Sequence, residues 1–169
     1  NAAFRKDMEA YLSLFAEAFF SKCAQAVKQH FPGHMYLGCR FNVFHPLVTR
    51  AASRHCDAIS FNLYQNSVAN FKAQTDNDCP YLISEFHFGS GSHGVWARGL
   101  SPCADLDNQT DLYGAYVEDA LKHPNFVGAH WFTWADQPAT GRYDGENFRV
   151  GLVSIIDRPY QALVERIQQ

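Results

Sequence analysis

Residues 80–94 read PYLISEFHFGSGSHG, an apolar run that meets an acid at Glu85 and continues into a loop of glycine, serine and histidine. Within it, residues 81–86 (YLISEF) are apolar at both phases of a strand, the pattern of a strand covered on two faces as in a parallel sheet. Glu85 departs from that pattern at the end of the run. A lone carboxylate there reads as an edge charge or a loop cap, so its meaning depends on what neighbouring strands bring to it.

Working outward, residues 58–64 (AISFNLY) read the same way, residues 35–41 (MYLGCRF) form a shorter run, and residues 126–134 (FVGAHWFTW) a fourth. Helical patterns alternate with them. Phe4, Met8, Tyr11, Leu12, Phe15, Phe19, Cys23, Ala26 and Val27 recur at steps of three and four until Pro32 and Gly33, which predicts a long amphipathic helix. Residues 46–55 predict a short helix with Pro46 in its first turn, and residues 66–74 a weak one. Asp107 or Asn108 is the expected N-cap of a helix to about Lys122, with Leu112, Ala115, Tyr116 and Ala120 inward. Asp157 and Pro159 predict the opening of a last helix, from Tyr160 to about Gln168.

This alternation predicts an α/β fold over residues 1–169, one domain with four parallel strands covered by helices and right-handed crossovers. The segment RFNVFHP after the first strand lacks phosphate-binding glycines, which favours a barrel-type sheet over a nucleotide-binding one.

Composition narrows the function classes. The chain has 169 residues, 47% of them hydrophobic, with a net charge of −3, a pI near 6.2 and a mean hydropathy of −0.28. Those values predict a soluble globular protein without a basic surface for nucleic acid. The longest mostly apolar stretch, residues 11–26, carries Glu17 and Lys22 and reads as neither a membrane span nor an export signal, so a cytoplasmic, reducing compartment is the default expectation, with a periplasmic or secreted one expected if the natural gene is longer. The five cysteines have no metal-like spacing and read as mostly buried thiols. His87, His93 and His130 match no zinc pattern either, and no metal or cofactor is expected.

Side chains alternate along a strand, so each strand end can be checked for polar residues on one face. Arg40 and Asn42 share a face after the first strand, Asn62 and Tyr64 after the second, and Glu85 and His87 after the third. The fourth adds Trp131, Trp134, Asp136 and Gln137. Polar groups at the C-terminal ends of parallel strands are where such folds carry active sites. Each also has a structural reading: Arg40 as an ion-pair partner, Asn62 and Tyr64 as hydrogen-bonded core groups, the tryptophans as core.

The segments YLGCRF, DAISFNLY, PYLISEFHFGS and VGAHWFTWADQPATGRYDGENFRVGLVSIIDRPYQALVERI together resemble the C-terminal half of clan A retaining glycoside hydrolases, most closely β-agarases and β-galactosidase-like enzymes. The resemblance implies half of a TIM (β/α)8 barrel, strands five to eight, with Glu85 at the position of the nucleophile that ends the seventh strand. Tyr64, at the end of the sixth, would hydrogen-bond that carboxylate. Trp131 or Trp134 would stack on a sugar ring, and Arg40, Asn42, Asn62, His87, Asp136 and Gln137 would serve its hydroxyls.

Retaining hydrolysis also needs an acid/base carboxyl about 5 Å from the nucleophile. In that clan it belongs to an Asn-Glu pair ending the fourth strand, and no Asn-Glu pair occurs here; Glu146-Asn147 has the reverse order. The expectation is therefore a carbohydrate-binding or vestigial half-barrel for β-galactoside-type chains, with part of an active glycosidase as the alternative. A half-barrel exposes two sheet edges and one apolar wall, so a homodimer closing the barrel is expected.

Overall fold

The computed structural model describes residues 1–91, 94 and 96–169. In chain order the elements are helix α1 (Ala2–His30), strand β1 (Arg40–Phe41), helix α2 (Pro46–His55) and strands β2 (Ile59–Asn62), β3 (Tyr81–Phe86), β4 (Gly89–Ser90) and β5 (Pro102–Cys103). Helix α3 (Leu106–Lys122), strand β6 (Phe126–Trp131) and helix α4 (Gln161–Ile167) complete them. The main sheet has the order β1-β2-β3-β6, and β4 pairs with β5 in a separate two-stranded sheet.

Strands β1 and β2 are parallel, Arg40 opposite Ser60 and Phe41 opposite Phe61. Hydrogen bonds from Ile59 N to Pro80 O and from Leu63 N to Glu85 O climb both segments together. Those from Tyr81 N to Asn125 O and from Phe132 N to Phe86 O do the same, so β2, β3 and β6 run in one direction. The fold is mixed α/β with parallel strands.

Two compact units divide the chain. One comprises Asn1–Asn62, Phe71–Ile83 and Asn125–Gly128; the other comprises Leu63–Asn70, Ser84–Pro124 and Ala129–Gln169. In the first, Phe61 is fully buried, its ring 5.0 Å from Phe71, 5.2 Å from Phe44 and 5.7 Å from Tyr81. Glu17 of α1 bonds Arg54 at 2.7 Å and His55 at 2.5 Å, which ties α1 to α2. In the second unit Phe86 lies flat on Tyr116, centroids 4.4 Å apart, and the Tyr116 hydroxyl donates to Leu63 O at 2.9 Å.

Several expected elements differ. The first strand shrinks to β1 because Gly38 takes φ +67, a left-handed backbone that interrupts the extended run. No helix forms over residues 66–74. Phe71 instead joins the Phe61 cluster, and burial of its ring outweighs a weak local propensity.

Helix α1 forms as read, yet of its residues only Ala16 and Phe20 are buried. Phe4, Met8, Tyr11, Phe15 and Phe19 are 42–64% exposed, so most of the apolar stripe has no cover among the described residues. Helix α3 is capped by Asp105, two or three residues before the expected Asp107 or Asn108. Asp105 accepts from Asn108 N at 2.9 Å while Asn108 Oδ1 accepts from Ala104 N at 3.1 Å, a reciprocal cap. Tyr116 and Ala120 of α3 are buried as expected, but Ala115 is exposed.

Strand β6 stops at Trp131 because the chain beyond it pairs with its own tail: Trp134 O accepts from Leu152 N and Val153 N. The last helix starts at Gln161, and Asp157 sits at φ 56 in the preceding turn rather than at the cap.

Candidate active site

The register that sets Leu63 N against Glu85 O, a 2.9 Å bond, carries Tyr64, two residues beyond β2, past the end of β3. Its hydroxyl donates to Glu85 Oε2 at 2.6 Å. Both side chains are half-buried, and both residues lie in the second unit. A short hydrogen bond of this kind fixes the carboxylate's orientation.

His87 stands behind that pair. It is only 1% exposed, with its ring 4.6 Å from that of Tyr64, 5.8 Å from Phe132 and 5.9 Å from Phe148. Nε2 accepts from Leu100 N at 2.8 Å, which assigns the ring proton to Nδ1. Nδ1 points to the Phe132 backbone without forming a well-shaped hydrogen bond. Burial pushes the imidazole pKa down to about 4, the Phe132 contact opposing only in part. The ring is therefore neutral around pH 7 and faces protein on every side that the contacts define. This differs from the expectation of a histidine open to sugar hydroxyls.

The other residues read from the sequence fall in three groups. Arg40, Asn42 and Asn62 lie in the first unit, Arg40 and Asn42 exposed and Asn62 half-buried. Trp131 packs edge-on against Phe86 at 5.2 Å and Tyr113 at 5.5 Å, and its indole N–H donates to Val150 O at 2.7 Å. Those contacts direct the ring towards α3. Trp134 is 67% exposed and lines an apolar cleft of about 490 Å³ with Leu152, Val153, Pro159, Val164 and Ile167.

Asp136 and Gln137 are buried and spend their polar atoms on the chain itself. Asp136 accepts from Gly151 N at 2.8 Å and from the Tyr160 hydroxyl at 2.5 Å. Gln137 accepts from Phe148 N at 2.6 Å and donates to Glu146 Oε2 at 2.9 Å, which holds the loop between them closed. Both are loop-forming groups rather than open ligand groups. His93 lies outside the described residues. Among the described residues no three His, Cys, Asp or Glu side chains are grouped to hold a metal ion.

Sequence reading missed Gly99, Leu100, Phe132 and Phe148, the residues that fix His87. Gly99 has φ +71, and a side chain on it would meet His87 Nε2 at 2.5 Å, so the loop can approach the ring only through glycine. Nothing in the spacing of these residues marks them as neighbours of the β3 end.

No family model matches the chain. It is 38% identical over 167 residues to β-agarase B of Vibrio sp. (strain JT0107), a match that covers 95% of this chain. It is 36% identical over 178 residues to β-agarase A of the same organism, covering 99% of this chain. The chain spans 18% of the length of each of these curated relatives. Among solved structures it superposes on the agarase AgWH50C with a TM-score of 0.89 and 37% identity, over 98% of this chain and 24% of that one. The chain is thus similar to one part of much longer agarases.

Proposed function

We propose that this chain carries the nucleophile side of a retaining β-agarase-type glycosidase site and, by itself, binds β-galactoside-type chains without turning them over efficiently. The observation that carries this reading is the 2.6 Å hydrogen bond from Tyr64 to Glu85 where β2 and β3 end. A carboxylate oriented in this way suits attack on an anomeric carbon, and the tyrosine steadies the charge before attack and the leaving carboxylate afterwards. The similarity to agarases supports a galactan substrate class. In the fuller form of this reading the β1-β2-β3-β6 sheet is half of a TIM (β/α)8 barrel.

The acid/base carboxyl has no counterpart in the sequence read by family resemblance. General acid–base help is worth ~100- to 10,000-fold, so unactivated galactans turn over at a trace rate on this chain. The exposed stripe of α1 and the exposed Val127 of β6 call for an apolar partner, and a second copy of the chain is the simplest one.

The test uses a sugar that needs no acid. With 2-deoxy-2-fluoro-β-galactosyl fluoride, a Glu85 oxygen bonds C1, the C1–F bond breaks, and fluoride leaves with the electron pair. The expected product is one added 2-fluorogalactosyl group on the peptide containing Glu85, read by mass spectrometry and absent from Glu85→Gln. Labelling elsewhere, or equal labelling of Glu85→Gln, would remove Glu85 from the role.

A further inference from the structure

We propose that His87 is a positioning residue for the Tyr64–Glu85 pair: its neutral ring is the buttress that holds the tyrosine hydroxyl on the carboxylate, and it links that pair to the loop at Gly99 and Leu100. This rests on the reading of Glu85 as nucleophile and deepens it.

The geometry carries the argument. Tyr64 lies two residues beyond the end of β2, and its hydroxyl is on Glu85 Oε2. Its ring has His87 at 4.6 Å, tilted by 55°. His87 in turn cannot drift. Phe132 and Phe148 flank it, Leu100 N–H is bonded to Nε2, and Gly99 approaches so closely that the ring and the loop fit only as they are. Among the described residues these contacts form one chain, from loop through His87 and Tyr64 to Glu85. Close packing transmits displacement, because a core of this density has no slack to absorb it.

Chemistry narrows the residue type. A phenylalanine would keep the ring contact but leave Leu100 N–H without its acceptor, a cost borne by a buried donor. A glutamine would keep an acceptor but lose the ring beneath Tyr64. A charged imidazolium would offer Leu100 N–H no lone pair at Nε2, so the neutral form is the one that fits. Histidine alone supplies both contacts in one flat side chain.

The inference is tested by a double-mutant cycle on the 169-residue chain, read as the rate of Glu85 labelling by the 2-fluorogalactosyl fluoride. His87→Ala and Tyr64→Phe are each expected to slow labelling roughly tenfold or more, since small misplacements of reacting groups carry large rate penalties. The double variant is expected to be no slower than Tyr64→Phe, because His87 acts through Tyr64. Effects that multiply, or an unchanged rate in His87→Ala, would overturn the proposal.

Circular dichroism checks each fold. Should His87→Ala not fold, His87→Gln takes its place in the cycle with the same expectation. If the parent chain is not labelled at all, the nucleophile reading fails by itself, and the 13Cζ resonance of Tyr64 decides the positioning claim. Movement of that resonance toward free tyrosine in the His87 variant supports it. An unmoved resonance overturns it.

Discussion

Gly99 lies under His87 so closely that a β-carbon on it would stand 2.5 Å from Nε2 and 3.1 Å from Cδ2. The loop that carries Leu100 to the ring thus depends on a residue without a side chain. Gly99→Ala should cost roughly 2–4 kcal/mol, combining strain at φ +71 with overpacking. Urea denaturation of the single variant and of Gly99→Ala in a His87→Ala background checks it: the penalty should shrink when the ring is gone.

Protonation of His87 opposes folding. Burial holds its pKa at about 4 against an ordinary 6.5, so between those pH values the unfolded chain binds a proton that the folded chain does not. Stability from this group is complete above pH 6.5 and is lost as pH falls through the window to about 4, on the order of 3 kcal/mol in all. The urea midpoint of the parent chain should fall more steeply across that window than that of His87→Gln. Parallel curves would contradict this sign.

Asp136 should be a stability residue. Its removal strands Gly151 N–H and the Tyr160 hydroxyl, whose pKa burial and the neighbouring Asp136 carboxylate push up to about 12, so that it remains a donor. Asp136→Ala is expected to cost ~2–5 kcal/mol and Asp136→Asn less, by thermal or urea unfolding. In Glu85 labelling, Asp136→Asn should match the parent at temperatures where both are folded.

The apolar stripe of α1 predicts association. Light scattering at micromolar concentration should give twice the mass of one chain. Phe15→Glu with Phe19→Glu should shift the mass to that of one chain, since both rings are more than two-fifths exposed. A monodisperse parent chain at the single-chain mass would remove the second copy as the cover.

The strand at residues 81–86 was fully legible because its two-faced apolar pattern and its bounding residues agree, and the structure has β3 over those same residues. Helix α2 is equally local: Pro46 opens it and the chain turns extended at Cys56. The nearness of Tyr64 to Glu85 was also within reach, since parallel register plus alternation brings the ends of neighbouring strands together. What residue order could not carry was the use each polar group makes of its bonds. His87, Asp136 and Gln137 look like ligand groups in a one-dimensional reading, because a strand end followed by polar residues has the same pattern whether those residues face solvent or a returning loop. Only the tertiary structure decides, through the tail that brings Gly151 and Phe148 back to residues 136 and 137 and the loop that brings Leu100 to His87. Those partners are 11 to 15 residues away along the chain, and a buried hydrogen-bonding group accepts whichever partner the fold delivers. The same holds in reverse for α1, whose periodicity sufficed to form a helix but could not say what would cover it.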